Sequence, residues 1–270
     1  MNLLTSPLLL TKVSAGEEVQ LKSNRMSATS SEIEITGFKT MASSMEFADN
    51  YNNWIINKFN PYIGSSLLEI GTGQGNFKKY LSHRVKQYVS IDIDEKVIKR
   101  AKERDSGGNY IVADAASNDF SSKLKEFSFD TVMCVNVLEH IPDHKKAIAN
   151  MLQVLRPGGH LLLFVPAFQA LYNDMDKLAG HCRRYRKGDI NELVAGLNVD
   201  IIMNEYFNSI GGLGWWVNKL RTHKDLDSKN INKQVIIFEK YIVPVSKFIN
   251  PFSKKIFGQS LLAVLKKKNK

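Results

Sequence analysis

The spacing of apolar and polar residues changes period several times along the chain, and each change predicts an element. Between Met45 and Phe59 the residues Phe47, Tyr51, Trp54, Ile55 and Phe59 recur at helical spacing, and Asn60-Pro61 ends the pattern. Residues 66–70 are then apolar, 75–83 helical, 88–91 apolar and 95–104 helical. A short strand over 110–112, a buried strand over 131–135, a helix over 143–155 and a strand over 160–165 continue the series. Pro157-Gly158-Gly159 supplies a turn before that strand. Strand and helix alternating in this way predict an α/β, doubly wound, Rossmann-like sheet, mostly parallel, with ligands at the carboxyl ends of its strands.

Beyond Val165 the rhythm breaks. Residues 166–189 are polar, basic and aromatic, 199–207 read as a strand, and 257–265 read as a last, antiparallel one. About fifty residues separate those two strands, where a compact fold usually needs only a short connection. That stretch is expected to be a helical insertion over 209–256, with helices at 213–220 and 235–249, serving an acceptor. At the other end, residues 1–44 are rich in Ser, Thr, Lys and Glu, and Ser27-Ala28-Thr29-Ser30-Ser31 reads as part of a flexible arm. Residues 45–270 then form one domain, with its core in 62–208 and 257–266.

Composition narrows the picture modestly. With 43% hydrophobic and 24% charged residues over 270, the chain has material for a full folded core. A net charge of +10 suits a polyanionic partner without choosing among nucleic acid, anionic lipid and phosphorylated substrate. Two cysteines, Cys134 and Cys182, make neither a disulfide framework nor a zinc set, so a cytoplasmic setting and no metal site are expected. Leu3-Leu4 and Leu8-Leu9-Leu10 are interrupted by Thr5-Ser6-Pro7 and lack a positive leader. No run reaches the ~20 apolar residues that span a bilayer, so any membrane contact is expected to be peripheral, at the inner face.

The chemistry starts at Leu67-Leu68-Glu69-Ile70-Gly71-Thr72-Gly73-Gln74-Gly75, a strand running into a glycine-rich turn and then a helix. Glycine is needed where a ligand approaches the backbone and where torsions forbidden to other residues occur. The third glycine follows the second by two residues, whereas a dinucleotide fingerprint would place it at Asn76. That spacing points to a cofactor with no pyrophosphate. Asp92 ends the second strand about twenty residues after the first glycine, where a carboxylate accepts hydrogen bonds from both hydroxyls of a ribose. Turn and acid together predict an adenosine-containing cofactor.

These residues resemble a class I methyltransferase of the small-molecule type. Glu69-Ile70-Gly71-Thr72-Gly73-Gln74-Gly75 is similar to that family's first motif and Tyr88-Val89-Ser90-Ile91-Asp92 to its second. Ala113-Asp114-Ala115, Phe129 to Val132 with Asn136-Val137-Leu138-Glu139-His140-Ile141, and Leu155-Arg156-Pro157-Gly158-Gly159 resemble the next three. The resemblance covers about 50–165 and implies S-adenosyl-L-methionine as cofactor. It implies contacts from Glu69, Gly71, Thr72, Gly73, Gly75, Asp92, Ile93, Asp114, Ala115 and Asn136, with Asp114 at the adenine amino group.

A narrower resemblance, to bacterial methyltransferases found beside glycosyltransferases of surface-polysaccharide synthesis, rests on several further segments. They are Val165-Pro166-Ala167, Leu171-Tyr172, Asp176, Gly180-His181-Cys182-Arg183-Arg184-Tyr185, Tyr206-Phe207-Asn208, Gly214-Trp215-Trp216, the leading Ala48 to Trp54 and the closing Phe257 to Leu261. Cys182 departs from the aromatic or apolar residue usual after that histidine. This likeness implies a small-molecule, glycan or lipid-linked sugar acceptor and a glycosyltransferase partner. Tyr51, Trp54, Arg183, Arg184 and Tyr185 are the expected acceptor contacts, and His140 and His181 the expected proton-handling residues.

Each candidate also has a plainer reading. His140 could be a helix-cap histidine, and Arg183 and Arg184 could anchor a loop through Asp176 instead of forming a fork for phosphate. Trp215-Trp216 with Phe207 could be core rather than a sugar platform. Lys254, Lys255 and the tail Lys266-Lys267-Lys268-Asn269-Lys270 could be solvated charge or a surface for anionic lipid. Three other functions stand as alternatives: a nicotinamide-dependent oxidoreductase or epimerase, an RNA-modifying protein, and a non-catalytic protein of the membrane surface. The glycine spacing weighs against the first. The second lacks an RNA-reading aromatic motif and has Asn136-Val137-Leu138-Glu139 where an Asn-Pro-Pro-aromatic signature would stand.

Overall fold

The computed structural model describes residues 48–73, 75–218 and 237–269. Seven strands form one sheet in the order β3-β2-β1-β4-β5-β7-β6. In chain order they are β1 (Ser66–Ile70), β2 (Gln87–Asp92), β3 (Asn109–Val112), β4 (Phe129–Val135), β5 (Leu155–Pro166), β6 (Val199–Phe207) and β7 (Ser260–Lys267). The first five pair in parallel, and β7 runs antiparallel between β5 and β6, with Leu163 opposite Ala263 and Tyr206 opposite Leu261. The predicted mostly parallel Rossmann-like sheet and its antiparallel last strand are both present. The strand order reverses between β1 and β4, so a crevice opens at their carboxyl ends, where such sheets bind ligands.

The central strands are buried on both faces, which is why they read as continuous apolar runs instead of alternating ones. Leu68, Leu161 and Leu163 point into one core layer, and their neighbours Leu67, Leu162 and Phe164 point into the other. The helices around the sheet are α1 (Asp49–Phe59), α2 (Lys78–Leu81), α3 (Glu95–Arg104), α4 (Phe120–Lys123), α5 (His144–Val154), α6 (Asp174–Leu178) and α7 (Lys187–Leu193). Asp94 caps α3 by accepting from Lys96 N at 2.8 Å, and Asp143 caps α5 by accepting from Lys146 N at 3.0 Å.

Several expected boundaries are corrected. The helix predicted over 75–83 is cut to Lys78–Leu81, because Gly75 has φ +75° and the chain is still turning there. Pro157-Gly158-Gly159, with Gly158 at φ +77°, turns the chain inside β5 and not before it: Phe129 pairs with Leu155 and Thr131 already with His160, so residues 156–159 stand opposite Asp130 alone, three more than on the other side. The last strand starts at Ser260, since Gln259 N is still bonded to Asn208 O in the preceding turn.

Between β6 and β7 the described residues include α8 (Ser209–Asn218), a π-helical turn (Phe238–Ile242) and α9 (Val243–Ser253). Buried Glu239 in the π-helical turn accepts from Asn50 N at 2.7 Å and Tyr51 N at 3.1 Å, placing an anion on the amino end of α1. No helix among the described residues is long and apolar enough to cross a membrane. The arm expected over 1–44 lies outside the described residues.

Candidate functional site

β1 ends in the glycine turn. Gly71 N and Thr72 N both donate to Ile91 O at 2.8 Å, clamping the turn onto β2. Gly71, Gly73 and Gly75 have φ of 76°, 48° and 75°. At Gly71 a side chain is also excluded by space, because a Cβ would lie 2.3 Å from Val137 Cγ2 in the segment leaving β4. At Gly75 nothing among the described residues, its chain neighbours aside, lies within 4 Å of such a Cβ, so the turn keeps an open side there.

Asp92, at the end of β2, braces the turn: its carboxylate accepts from Gly73 N at 3.2 Å and from Asp94 N at 3.0 Å. Burial raises its pKa against the lowering effect of those backbone N–H groups. Ile93 beside it is an apolar side chain left 69% exposed. Asp114 accepts from Ala116 N at 2.8 Å through one oxygen, and buried Ala115 gives its carbonyl to Asn150 Nδ2 at 2.9 Å. Asn136 takes φ 53°, with its N–H bonded to Phe164 O at 2.8 Å and its side chain exposed. Gln74 lies outside the described residues.

Glu69 is only 2% exposed and accepts from Ser90 Oγ at 2.8 Å, so its carboxylate is engaged within the protein. Burial, opposed by the Ser90 hydrogen bond, pushes its pKa up to about 7.

S-adenosyl-L-methionine fits these residues. Buried Thr72 Oγ1 has no hydrogen-bond partner among the described residues, and such a hydroxyl beside an open glycine turn is a group a ligand can engage.

A second constellation forms where the loop after β5 folds back on the turn after β4. Asn173 opens α6 with a capping box: its side chain accepts from Met175 N at 2.9 Å, while Asp176 Oδ2 accepts from Asn173 N at 3.0 Å. The other oxygen of Asp176 accepts from His181 Nδ1 at 2.7 Å and Arg184 Nε at 2.8 Å. Burial alone would raise the Asp176 pKa, but the His181 hydrogen bond and the Arg184 charge overcome it and hold it below the usual range. Gly180, at φ +75°, turns the chain so that His181 meets His140 edge to face, with ring centroids 4.7 Å apart.

His140 belongs to a 3₁₀ turn, Leu138–His140, following β4. The packing around its ring and the neighbouring His181 lower its pKa to about 4, so the imidazole is neutral. Between the two histidines lies Glu139, fully buried, with neither carboxylate oxygen hydrogen-bonded and Oε1 3.9 Å from His181 Nε2. Its pKa rises to about 7, chiefly through burial.

The structure therefore unites the two predicted histidines but corrects most of the predicted acceptor contacts. Tyr51 and Trp54 are buried, Trp54 against Phe207 at 3.9 Å and Tyr51 edge-on to Phe164, Phe207 and Phe238, so α1 spends them on core packing. Buried Arg184 is committed to Asp176 and to Ala167 O, with Trp215 stacked 5.0 Å from its guanidinium. Tyr185 is a core residue whose hydroxyl meets His144 Nδ1 and Leu138 O. Arg183 donates to Ile141 O and Pro142 O, lashing the loop to the chain after β4. Loop anchoring, not a phosphate fork, is what these arginines do. The candidate group passed over was Glu139; its signals were its place in the Asn136–Ile141 motif and an acid directly before a candidate histidine.

Comparison with known proteins follows the same division. Residues 68–163 match the family described as a methyltransferase domain. The chain is 32% identical over 100 residues to an uncharacterized methyltransferase of Mycobacterium sp. strain KMS, covering 37% of this chain and 38% of that one. It is 28% identical over 109 residues to the ubiquinone biosynthesis O-methyltransferase of Idiomarina loihiensis, covering 40% and 45%. The match thus spans about two fifths of the length of these curated relatives. Among solved structures, an SAM-dependent methyltransferase from Archaeoglobus fulgidus aligns with TM-score 0.52 and 18% identity over 80% of this chain and 94% of its own. The YcgJ protein of Bacillus subtilis aligns with TM-score 0.52 and 15% identity over 81% and 99%. Those two likenesses establish the fold. The stretch from β1 to β5 that builds the glycine turn, Asp92, Asp114 and the Glu139-His140 pair is the stretch that matches a methyltransferase domain.

Proposed function

We propose that the chain is an S-adenosyl-L-methionine-dependent methyltransferase acting on a hydroxyl of a glycan or lipid-linked sugar. The observation that carries the cofactor is the glycine turn with its open side, its orphaned Thr72 hydroxyl and the adjacent Asp92 carboxylate. Asp92 would hold the ribose, Asp114 and Ile93 the adenine, and Gly71, Gly73 and Gly75 the methionine end. When bound, the sulfonium supplies an electrophilic methyl group. Transfer is an in-line displacement, so the protein's task is to align the acceptor and exclude water.

An oxygen acceptor must also lose a proton, and the Glu139-His140-His181 cluster is the place for that chemistry. Asp176 accepts a hydrogen bond from Nδ1–H of His181, which leaves the Nε2 lone pair facing Glu139. The O-methyltransferase relative supports an oxygen acceptor. The lipid-linked part rests on the insertion: Phe248, Phe252 and Ile256 are 76%, 77% and 76% exposed, on a chain whose net charge is +10.

Calorimetric titration tests the cofactor. Binding of S-adenosyl-L-methionine and S-adenosylhomocysteine is expected; binding of NAD with neither of those would sink this reading and favour an oxidoreductase.

A further inference from the structure

The least economical feature of the molecule is Glu139. A carboxylate taken from water with both oxygens unpartnered is costly unless something supplies the missing charge or hydrogen bonds. Its surroundings compensate it only in part: its own backbone N–H and the fields of His181 and Arg184 act against burial without overcoming it, His181 Nε2 is 3.9 Å away, and Cys182 N bonds the Glu139 main-chain carbonyl, not its side chain.

Beside the charges of Arg184 and Asp176, the potential ligand groups nearest Glu139 are two imidazoles. One ligand atom each from Glu139, His140 and His181 lies within 4.8 Å of the others. A tetrahedral divalent ion with bonds of roughly 2.0–2.1 Å sets its ligand atoms about 3.3 Å apart, so small side-chain rotations close the gap. His181 is prepared for such a role in a specific way. Asp176 accepts from its Nδ1, the arrangement in which a carboxylate fixes the tautomer and raises the basicity of a metal-bound imidazole. Asp176 is itself held by Arg184 and by the amino end of α6, so that second carboxylate cannot swing in to replace Glu139.

We propose that Glu139, His140 and His181 form a binding site for one first-row divalent ion of the zinc class, with a coordination position left open toward solvent. Two nitrogens and one carboxylate oxygen suit zinc, cobalt, manganese or iron(II) better than magnesium or calcium, which prefer all-oxygen sets. The ion's charge would answer the unpartnered carboxylate. His140 leads from the site to the surface, and the His181 side chain is 16% exposed, so an ion and an exchangeable ligand can enter.

The place is also informative. Val137, two residues before Glu139, packs against Gly71, which puts the ion at the same end of the sheet as the glycine turn. There it would coordinate an acceptor hydroxyl and lower its pKa, so that the proton leaves to solvent before the methyl group arrives. That role rests on the methyl-transfer reading; the site itself does not.

The full chain, stripped with chelator and dialysed, is titrated with Co²⁺ while visible d–d absorption is followed. One Co²⁺ per chain is expected, displaced by Zn²⁺ and not by Mg²⁺. Glu139→Gln, His140→Ala and His181→Ala should each weaken Co²⁺ at least tenfold, while His83→Ala, on an exposed histidine away from the cluster, should leave it unchanged. Glu139→Gln preserves volume and removes only the charge, so it decides the matter if a histidine variant fails to fold. Absence of a stoichiometric cobalt band in the wild type, or a band of full affinity in Glu139→Gln, overturns the site. Titration of S-adenosylhomocysteine into the same samples separates the two readings: its failure with cobalt binding intact removes methyl transfer and leaves the metal site.

Discussion

Two regions flank the crevice at the carboxyl ends of the strands, and they are built on opposite principles. The turn after β1 is made of backbone: glycines in left-handed torsions, main-chain N–H groups and one strand-end carboxylate with solvent beside it. The loop after β5, with the turn after β4 that it folds onto, is made of charge: Asp176, Arg184 and His181 from the loop and Glu139 from the turn, nearly all buried and mutually dependent. In the backbone cradle the main-chain groups of the turn are bonded, and among the described residues only the Thr72 hydroxyl is left buried without a partner. In the charge cluster it is an ionisable group, Glu139, that is buried with neither oxygen hydrogen-bonded among the described residues.

The sharpest way to break the charged region is to remove half of its internal pair. Arg184→Ala leaves Asp176 buried with less compensation and should cost about 3–5 kcal/mol of stability, read from urea unfolding. A loss under 1 kcal/mol would mean that water enters the loop freely and that it is no rigid platform.

The cofactor region should respond in affinity, not stability. Asp92→Ala should cost on the order of 2–4 kcal/mol of S-adenosyl-L-methionine binding by calorimetry, through two lost hydrogen bonds in a partly desolvated site. Unchanged affinity would displace the ribose from Asp92.

Within the same region the glycines should differ. Gly71→Ala and Gly75→Ala share a left-handed strain of roughly 1–2 kcal/mol, but only Gly71→Ala also drives a methyl group into Val137. Thermal unfolding should therefore rank Gly71→Ala below Gly75→Ala, and equal stability would contradict the close approach of the β1 and β4 turns.

Glu69 gives the backbone region a pH signature. Its folded pKa of about 7 stands above the unfolded 4.5, so the native state holds a proton that the unfolded chain has lost across that interval. Stability from this residue is full below pH 4.5 and falls as pH rises toward 7, by at most about 3 kcal/mol. Glu69→Gln should remove that slope from unfolding midpoints measured between pH 4.5 and 7.5; an unchanged slope would place the titration elsewhere.

The smallest effect is expected at the insertion. Phe248→Ser with Phe252→Ser should reduce flotation with liposomes of anionic lipid, and high salt should reduce it for the wild type. Each lysine near the surface contributes about 1 kcal/mol. Lys254 should count for less, since it is paired with Glu205 at 2.7 Å, and so should Lys268, paired with Asp200 at 3.3 Å. Flotation indifferent to both changes would favour a soluble acceptor such as a nucleotide sugar.

How much of this was legible beforehand follows from the range of the forces involved. β1, β2, α3 and β6 were readable to within a residue, because period, capping and apolar runs are local properties. The glycine turn and Asp92 were readable for the same reason: a left-handed turn demands glycine whatever surrounds it, and a strand end fixes where its acid sits. Tyr51, Trp54, Arg184 and Tyr185 were misread because an aromatic or arginine has the same letter whether it faces a ligand or a core. Only the packing of α1 on β5 and β6, and of α6 on the loop after it, decides which.

The Glu139 cluster lay further still from local rules. Its members are forty-two residues apart at the extremes, from Glu139 to His181, and what joins them is the turn at Gly180 held down by Asp176. The sequence by itself determined the sheet, its glycine turn and the acid beside it, since each follows from backbone geometry over a few residues. The tertiary structure alone decided which charges are buried together without partners, because desolvation depends on everything that packs around a group and not on its neighbours in the chain.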